Sequence, residues 1–322
     1  MVLGGGFLGS RIAHQLSQSG RDVLVLTKSE PRGHAASLLD GCEIVVGDVR
    51  DVTDLATMTD GASHVIYALG ALHPFASNFD PIADVSTALV PLLSVLEQLS
   101  QNAGLTFTFL SSGGTVYGDA TQTPTTEEAP TEPLSSYGIM KLAGEKYTMM
   151  HHRLGRMQPR ILRIGNVYGP GQSAYRGQGV IAAFLDCAET GKPLRVFGDG
   201  SITRDYIYVD DMADAVVRLL DAPPEPRVLN VGTGVGTSVR QVLDVVRTVS
   251  GRSTTVEYLS ARATDVQSSV LDTRRIRELI PFNPRSLEDG VRDTCRARTR
   301  QEGARDAGLP EGSPPVLIPS TD

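Results

Sequence analysis

Three glycines close to the start of the chain, Gly4, Gly6 and Gly9, follow the spacing G-x-G-x-x-G. The apolar pair Val2-Leu3 precedes them as a short strand, and a helical pattern of apolar residues follows as far as Gly20. Glycines at this spacing allow a tight strand-to-helix turn and a close approach of its backbone to a pyrophosphate. The chain is therefore expected to open with a strand, a turn and a helix whose N-terminus faces a bound anion.

Apolar runs and helical patterns alternate through the first half of the chain. Strands are predicted at residues 2–3, 22–26, 43–46, 64–69, 105–110 and 160–164, and helices at about 81–100, 210–221 and 239–250. This order is typical of the α/β class. It predicts a doubly wound parallel sheet of the Rossmann type with a smaller C-terminal α/β substrate lobe.

These patterns divide the chain into three parts. We assign residues 1–165 to a dinucleotide-binding domain and residues 166–298 mainly to the substrate lobe. The stretch 299–322 is rich in Gly, Pro, Ser and charged residues, and we expect it to be a disordered tail.

Composition narrows the classes of partner. The chain has a hydrophobic fraction of 40%, enough for a full core, and its net charge of −7 argues against a nucleic-acid or membrane-surface partner. The cysteines Cys42, Cys187 and Cys295 lie far apart and show neither metal-ligand spacing nor a disulfide framework. They indicate a reducing compartment and no metal site. No apolar run reaches membrane-spanning length and no secretory pattern opens the chain, so we expect a cytoplasmic protein.

The end of the second predicted strand bears on the choice of cofactor. NAD-binding domains usually place Asp or Glu there to bind the adenosine ribose, but this chain has Thr27 and Lys28, with Arg32 nearby. Cations at this place suit a 2′-phosphate, because the charges are complementary. The sequence therefore favours NADP(H), with NAD as the alternative. Asp48, after the third strand, could reach the adenine amine.

The expected cofactor contacts lie in the glycine turn, at the ends of the following strands and on one later helix. They are Gly4, Gly6, Phe7, Leu8, Gly9, Thr27, Lys28, Arg32, Asp48, Val49, Leu69, Tyr137 and Lys141.

A tyrosine and a lysine on that helix are the strongest catalytic candidates. Tyr137 and Lys141 are four residues apart, so they share one face of the helix. The positive charge of the lysine favours the phenolate, and we expect it to lower the tyrosine pKa towards neutrality. A hydroxyl-rich segment with Ser112 and Thr115 follows the fifth strand, at the sheet edge where α/β proteins bind ligands.

Together these segments resemble the extended short-chain dehydrogenase/reductase family of NAD(P)-dependent nucleotide-sugar epimerases, dehydratases and ketoreductases. The resemblance covers about residues 1–295. It implies that Tyr137 is the general acid/base, that Lys141 holds the nicotinamide ribose, and that a Ser or Thr hydroxyl bonds the reacting sugar oxygen. Many members place this hydroxyl at the position of Gly113, so Ser112 is the first candidate here and Thr115 the second.

The second half of the chain matches the family's substrate-binding segments in their order. The resemblance implies that these segments bind a nucleotide-diphosphate sugar, with arginine forks on the phosphate oxygens. The residues implied are Asn166, Val180, Phe197, Arg204 and Arg262. A homodimer through helices beside the active site is implied in the same way.

Two reactions fit these residues best. Family dehydratases carry an Asp-Glu pair directly after the catalytic hydroxyl, and this chain has Gly113-Gly114-Thr115 instead. Two hypotheses for the function remain. The first is a 4-ketoreductase that uses NAD(P)H on a dTDP-4-keto-6-deoxyhexose in deoxysugar biosynthesis. The second is an NAD-dependent 4-epimerase similar to UDP-glucose 4-epimerase. Thr27-Lys28 favours the ketoreductase. The missing hydroxyl at Gly113 keeps open a third reading, a catalytically silent dinucleotide-binding scaffold.

Overall fold

A seven-stranded parallel sheet forms the centre of the molecule. The computed structural model of the protein describes residues 1–70, 77–100, 102, 104–173, 179–261 and 265–306. The strand order in this sheet is β10-β6-β5-β4-β1-β2-β3. The strands are β1 Val2–Leu3, β2 Leu24–Thr27, β3 Glu43–Val46, β4 His64–Tyr67, β5 Thr106–Ser112, β6 Gln158–Ile164 and β10 Val228–Val231. The predicted Rossmann-type sheet is confirmed.

Helices cover both faces of the sheet. They are α1 Phe7–Gln18, α2 His34–Leu38, α3 Leu55–Met58, α4 Pro81–Asp84, α5 Val90–Gln98, α6 Ser136–Arg153, α7 Val180–Thr190, α8 Val209–Leu220, α9 Val239–Ser250, α10 Arg274–Leu279 and α11 Leu287–Asp306, with a π-helical turn at Val85–Leu89. Two apolar clusters lie on the sheet, one built around Ile12 and Leu219 and the other around Leu96 and Phe107. Apolar runs such as Leu24–Thr27 form strands because both of their faces are buried.

A smaller α/β lobe follows the sheet. Strands β7 Asn166–Tyr168, β9 Thr203–Tyr208, β11 Gly236–Ser238 and β13 Ser268–Ser269 form a four-stranded sheet, and β8 Leu194–Phe197 pairs with β12 Val256–Leu259. A third apolar cluster, which includes Phe184 and Val242, is the core of this lobe. The predicted C-terminal lobe is therefore present.

The chain returns from this lobe to the first domain. Helix α8 packs on α1, and β10 pairs in parallel with β6 as the last strand of the large sheet. The sequence boundary at residue 165 stays a prediction, but residues 209–231 contribute to the dinucleotide-binding side. No helix in the described part of the chain is both long and apolar enough to cross a membrane.

Helix α11 continues to Asp306, beyond residue 299, where the sequence predicted disorder to begin. The helix packs against α9, and its Arg298 forms an ion pair with Glu189 on α7. Each residue added to a packed helix gains one hydrogen bond for few fixed dihedrals, which favours this extension. The disordered tail itself stays a prediction. Residues 307–322 lie outside the described residues.

Candidate active site

The glycine turn has the geometry that its spacing predicts. Gly4 has a φ of 108°, which favours glycine, and its N–H donates to the Leu26 carbonyl at 2.8 Å. A Cβ on Gly9 would lie 1.8 Å from the Gly4 carbonyl oxygen. Gly6 caps α1 without a side-chain hydrogen bond, and a Cβ there would meet nothing within 4 Å. The N-terminus of α1 is therefore open, and its free N–H groups fit the pyrophosphate of a dinucleotide.

An ion cluster stands where β2 and β3 end. Lys28 Nζ lies 3.2 Å from an Asp48 oxygen, and Arg50 donates to the same carboxylate through its backbone and its guanidinium. The hydrogen bonds from Arg50 hold the pKa of Asp48 well below its usual range. Asp48 is thus held by two cations, while the predicted Arg32 is exposed in the β2–α2 loop. The sequence analysis did not select Arg50, although a cation two residues after a strand-end carboxylate could have indicated this ion pair.

The other predicted cofactor contacts differ in their surroundings. Phe7 and Leu8 are half-buried and pack against the cluster under α1. Val49 is buried in the opposite apolar cluster, so its side chain belongs to the core. Leu69 borders a small cavity together with Lys141, and this cavity is lined by Tyr67, Leu69, Gly70, Ala88, Leu89, Leu92, Phe109, Met140 and Lys141.

Helix α6 presents Tyr137 and Lys141 on one face, as the four-residue spacing predicts. The helix begins there because the Ser135 hydroxyl accepts a hydrogen bond from the Gly138 N–H at 3.2 Å. The Tyr137 N–H donates to the Ser77 hydroxyl at 3.0 Å. Lys141 Nζ donates to the Leu110 carbonyl at 2.8 Å and lies 5.8 Å from the Tyr137 ring centroid.

The expectation of a tyrosine pKa near neutrality is wrong for the free protein. Burial raises the pKa of Tyr137 to about 12, and the charge of Asp84 acts in the same direction against a hydrogen bond from Ser112. Burial lowers the pKa of Lys141 to about 8. The spacing rule failed because Lys141 donates to the Leu110 carbonyl rather than to the phenol, and because desolvation of the phenolate is the largest effect on the tyrosine pKa.

The structure distinguishes the two candidate hydroxyls. The Ser112 hydroxyl lies near enough to the Tyr137 phenol to lower its pKa, against the effect of burial. The Thr115 hydroxyl is buried and has no hydrogen-bond partner in the described part of the chain. A Cβ on Gly113 would come within 2.7 Å of a Leu271 methyl and 3.0 Å of the Arg163 carbonyl oxygen. A side chain at 113 would require the Leu271 side chain to move and would also lie tight against the Arg163 carbonyl.

Two predicted substrate residues connect this site to the smaller lobe. A Cβ on Gly114 would lie 3.0 Å from Asn166 Oδ1 and 3.9 Å from Ser112 Oγ, so both side chains border the backbone at Gly114. Asn166 is the β-partner of Tyr206, two residues from Arg204 on β9. Arg204 donates to the Thr203 carbonyl at 2.9 Å, and burial lowers the pKa of its guanidinium. No carboxylate among the described residues forms an ion pair with it, which leaves its fork for an anion.

The remaining substrate candidates lie at element ends. Val180 is the first residue of α7, behind Gly179 with its φ of 89°. Phe197 is the last residue of β8 and is half-buried. Arg262 lies outside the described residues, so its predicted role as a phosphate clamp stays a prediction.

A buried polar network holds helix α6 in place, and the sequence did not suggest it. Arg163 on β6 donates to both oxygens of Glu145, one of them at 2.7 Å, and the Ser111 hydroxyl donates to Glu145 at 2.6 Å. Glu145 lies four residues after Lys141, on the same face of α6. The network fixes α6 on β5 and β6, and the repeated four-residue step was its only signal in the sequence.

The fold and the site define a dinucleotide-dependent enzyme with a Tyr/Lys pair. The model of the NAD dependent epimerase/dehydratase family matches residues 1–232. The chain belongs to this family, and it is an enzyme of this kind.

Relatives with two different activities are similar to most of this chain. UDP-glucose 4-epimerase of Mycolicibacterium smegmatis is 33% identical over 295 residues, which cover 90% of this chain and 94% of the relative. A dTDP-4-dehydro-6-deoxy-D-allose reductase from Streptomyces sp is 28% identical, with 90% and 93% of the two chains covered. Among solved structures, UDP-glucose 4-epimerase of Thermotoga maritima with UDP-glucose has a TM-score of 0.85 and 31% identity, covering 94% of this chain and 98% of that one. The Thermus thermophilus UDP-glucose 4-epimerase complex with NAD has a TM-score of 0.85, 30% identity and the same coverage.

Proposed function

We propose that the protein is a nucleotide-sugar 4-epimerase that acts on a UDP-hexose. The observation that carries the proposal is the convergence of Tyr137, Ser112 and Lys141, with glycines at 113 and 114 in place of further acid/base groups. Such a site serves a reversible oxidation and reduction at one carbon and has no group for removing water. The relation to UDP-glucose 4-epimerases supports this reading over the ketoreductase that the sequence alone favoured.

In the proposed reaction, Tyr137 takes the proton from the C4 hydroxyl and returns it to the opposite epimer. A bound nicotinamide would supply the acceptor and then the donor of the C4 hydride, so that the reaction is redox-neutral, and its positive charge in the oxidised form would favour the tyrosinate. Ser112 hydrogen-bonds the same oxygen and lowers the tyrosine pKa against the effect of burial. Lys141, fixed by the Leu110 carbonyl, presents its ammonium to the cofactor ribose.

The diphosphate of the substrate is proposed to bind at Arg204 and Asn166. Arg204 has a guanidinium that no described carboxylate pairs, and Asn166 connects β7 with the Ser112 side of the site. Binding at a remote diphosphate holds the sugar ring in position, so that turnover depends on groups that do not react. Val180, Phe197 and Arg262 are proposed to contact the nucleotide.

A second candidate function is a 4-ketoreductase that uses NADPH on a dTDP-4-keto-6-deoxyhexose. The ion cluster at the end of β2 favours it, because Lys28 and Arg50 stand together where a ribose-binding carboxylate is otherwise expected. A 2′-phosphate placed there would gain charge-assisted hydrogen bonds from these cations. The same cluster supports NADP(H) as the cofactor, whereas the relation to NAD-bound structures supports NAD.

The two candidates separate in one experiment. The purified protein is incubated with UDP-galactose without added reductant, and in parallel with NADPH and a dTDP-4-keto-6-deoxyhexose. The epimerase proposal expects UDP-glucose in the first reaction and no sustained NADPH consumption in the second. The reverse pattern establishes the ketoreductase. Inactivity in both, with dinucleotide still bound, favours the silent scaffold.

We also propose a homodimer through the outer face of α4, α5 and α6. Large apolar side chains are exposed on this face, including Ile82, Val90, Ile139 and Met150. Ile139 and Met150 are eleven residues apart, about three helical turns, so they lie on one face of α6. Light scattering of the wild type and of Ile139→Glu checks the proposal: a dimer that becomes a monomer supports it, and a wild-type monomer rejects it.

A further inference from the structure

The first turn of α6 is held by two side chains from outside the helix. The Tyr137 N–H donates to the Ser77 hydroxyl at 3.0 Å, and the Ser136 N–H donates to Asn78 Oδ1 at 2.8 Å. The Gly138 N–H donates to the N-cap hydroxyl of the helix itself at 3.2 Å. The first N–H groups of a helix have no acceptor inside the helix. Two residues that lie far from α6 in the sequence therefore supply the acceptors for the catalytic tyrosine and its neighbour.

This turn also lies tightly against the segment that carries the two candidate hydroxyls. A Cβ on Gly138 would lie 3.0 Å from the Thr115 carbonyl oxygen and 2.8 Å from Pro133 Cβ. Glycine at this position lets the backbone of α6 approach Thr115 closely. A small displacement of the turn would thus change how the Tyr137 phenol lies relative to Ser112, and the hydrogen bonds from outside the helix oppose such a displacement.

The segment 77–92, which contains both capping residues, also reaches the lysine of the pair. The Ser136 hydroxyl donates at 2.8 Å to Asp84, the last residue of α4. The π-helical turn and α5 follow, and Leu89 of that turn lines the small cavity beside Lys141. Such π-helical turns are frequent at functional sites. One continuous segment therefore contacts the first turn of α6 and borders the space at Lys141.

We propose that Ser77 and Asn78 are positioning residues for the catalytic tyrosine, and that their hydrogen bonds to the backbone of α6 hold the Tyr137 phenol where it meets the sugar oxygen. The proposal rests on the proposed role of Tyr137 as the proton carrier. Both residues act through backbone N–H groups and are assigned no contact with the reacting atoms. Their removal is therefore expected to lower the rate of the chemical step more than the affinity for the substrate.

The test compares variants that remove one acceptor with a control that removes a helix cap elsewhere. Ser77→Ala leaves the Tyr137 N–H without this acceptor, and Asn78→Leu does the same to the preceding N–H. Asn78→Asp keeps an acceptor there and adds a charge that a helix N-terminus favours. Ser286→Ala is the matched control, because the Ser286 hydroxyl accepts a hydrogen bond from a first-turn N–H of α11 at 3.2 Å.

Each loss of a cap is expected to lower the Tm by about 2–4 °C. Ser77→Ala and Asn78→Leu are also expected to lower kcat about tenfold with KM within about twofold of the wild type, because a misplaced phenol slows the reaction without weakening substrate binding. Asn78→Asp should return kcat to within about threefold of the wild type, because its carboxylate replaces the acceptor. Ser286→Ala should keep the wild-type kcat.

A wild-type kcat in both Ser77→Ala and Asn78→Leu, despite the lower Tm, would overturn the proposal, because the two caps would then serve stability alone. An equal loss of kcat in Ser286→Ala would overturn it as well. If Ser77→Ala does not fold, the comparison of Asn78→Leu with Asn78→Asp at the half-buried position 78 decides.

A spectroscopic measurement on the protein without substrate needs no turnover. The tyrosines are replaced by fluorinated tyrosine, and the fluorine NMR signal of Tyr137 is identified by its absence in Tyr137→Phe. We expect this signal to shift or broaden in Ser77→Ala and to stay in place in Ser286→Ala. An unchanged signal in Ser77→Ala contradicts the proposal. The expected change of the signal in a protein that converts no UDP-sugar would reject the proposed function and keep the inference.

Discussion

The glycine turn and the first turn of α6 flank the same sheet, but different physical effects determine their properties. In the glycine turn, backbone sterics determine which residue fits, because a Cβ on Gly9 would overlap the Gly4 carbonyl. At α6, the helical spacing brings Tyr137 and Lys141 to one face, but burial raises the pKa of Tyr137 and lowers the pKa of Lys141. Sterics within six consecutive residues can be deduced from sequence, whereas a balance of desolvation and distant charges requires the fold.

The largest expected effect is on the chemical step at α6. Tyr137→Phe removes the only group proposed to carry the C4 proton, and we expect turnover to fall by about 10³-fold, within the range for general acid/base catalysis. Cofactor affinity should change little, because the phenol ring remains. Steady-state kinetics and dinucleotide titration measure the two quantities, and a variant within tenfold of wild-type turnover rejects the assigned role.

The next effect separates steric from ligand-facing glycines in the turn. Gly9→Ala is expected to destabilise the protein by about 3 kcal/mol or more, because the new Cβ overlaps the Gly4 carbonyl. Gly6→Ala is the matched control: its Cβ meets nothing within 4 Å and should leave the Tm unchanged while it weakens dinucleotide binding. Denaturant unfolding and titration are the measurements. Equal stability of the two variants would mean that the turn is not limited by backbone sterics.

The sequence predicted six of the seven strands of the large sheet and the shared helical face of Tyr137 and Lys141, because each depends on a local pattern. The catalytic roles of Tyr137, Lys141 and Ser112 stay predictions. The sequence did not predict that Asp84 lies near the start of α6. Asp84 precedes Tyr137 by 53 positions, and only the packing of α4 on α6 brings the two regions together. The sequence also offered no reason for Gly113, since Leu271 arrives from the far end of the chain. Long-range contacts of this kind leave no period or spacing to detect.

A smaller effect concerns the cations at the end of β2. Lys28→Ala is expected to weaken NADPH binding about tenfold and NADH binding much less, because it removes one charge-assisted hydrogen bond to a 2′-phosphate. Lys192→Ala, at an exposed position in the smaller lobe, is the control. Fluorescence titration with both nucleotides measures the ratio. Equal losses for the two cofactors would remove the support for NADP.

The smallest effect is the pH dependence that follows from Lys141. Its folded-state pKa of about 8 lies below the usual 10.5, so the unfolded chain binds the extra proton between these values. The contribution of Lys141 to the free energy of unfolding therefore rises with pH across this window, while cofactor affinity falls severalfold above pH 8 as the ammonium is lost. Lys141→Met should abolish both dependences. Wild-type profiles that are flat from pH 7 to 10 would contradict the assigned pKa.

We propose that Tyr137 carries the C4 hydroxyl proton while a bound nicotinamide would take and return the hydride, in a reversible oxidation and reduction of a UDP-hexose. Proton NMR of UDP-galactose incubated with the wild type and with Tyr137→Phe tests it most directly. We predict that the wild type reaches the same UDP-glucose/UDP-galactose equilibrium from either sugar, and that the variant leaves both sugars unchanged. A wild type that carries bound dinucleotide and converts neither sugar, or a variant that still reaches equilibrium at the wild-type rate, would contradict it.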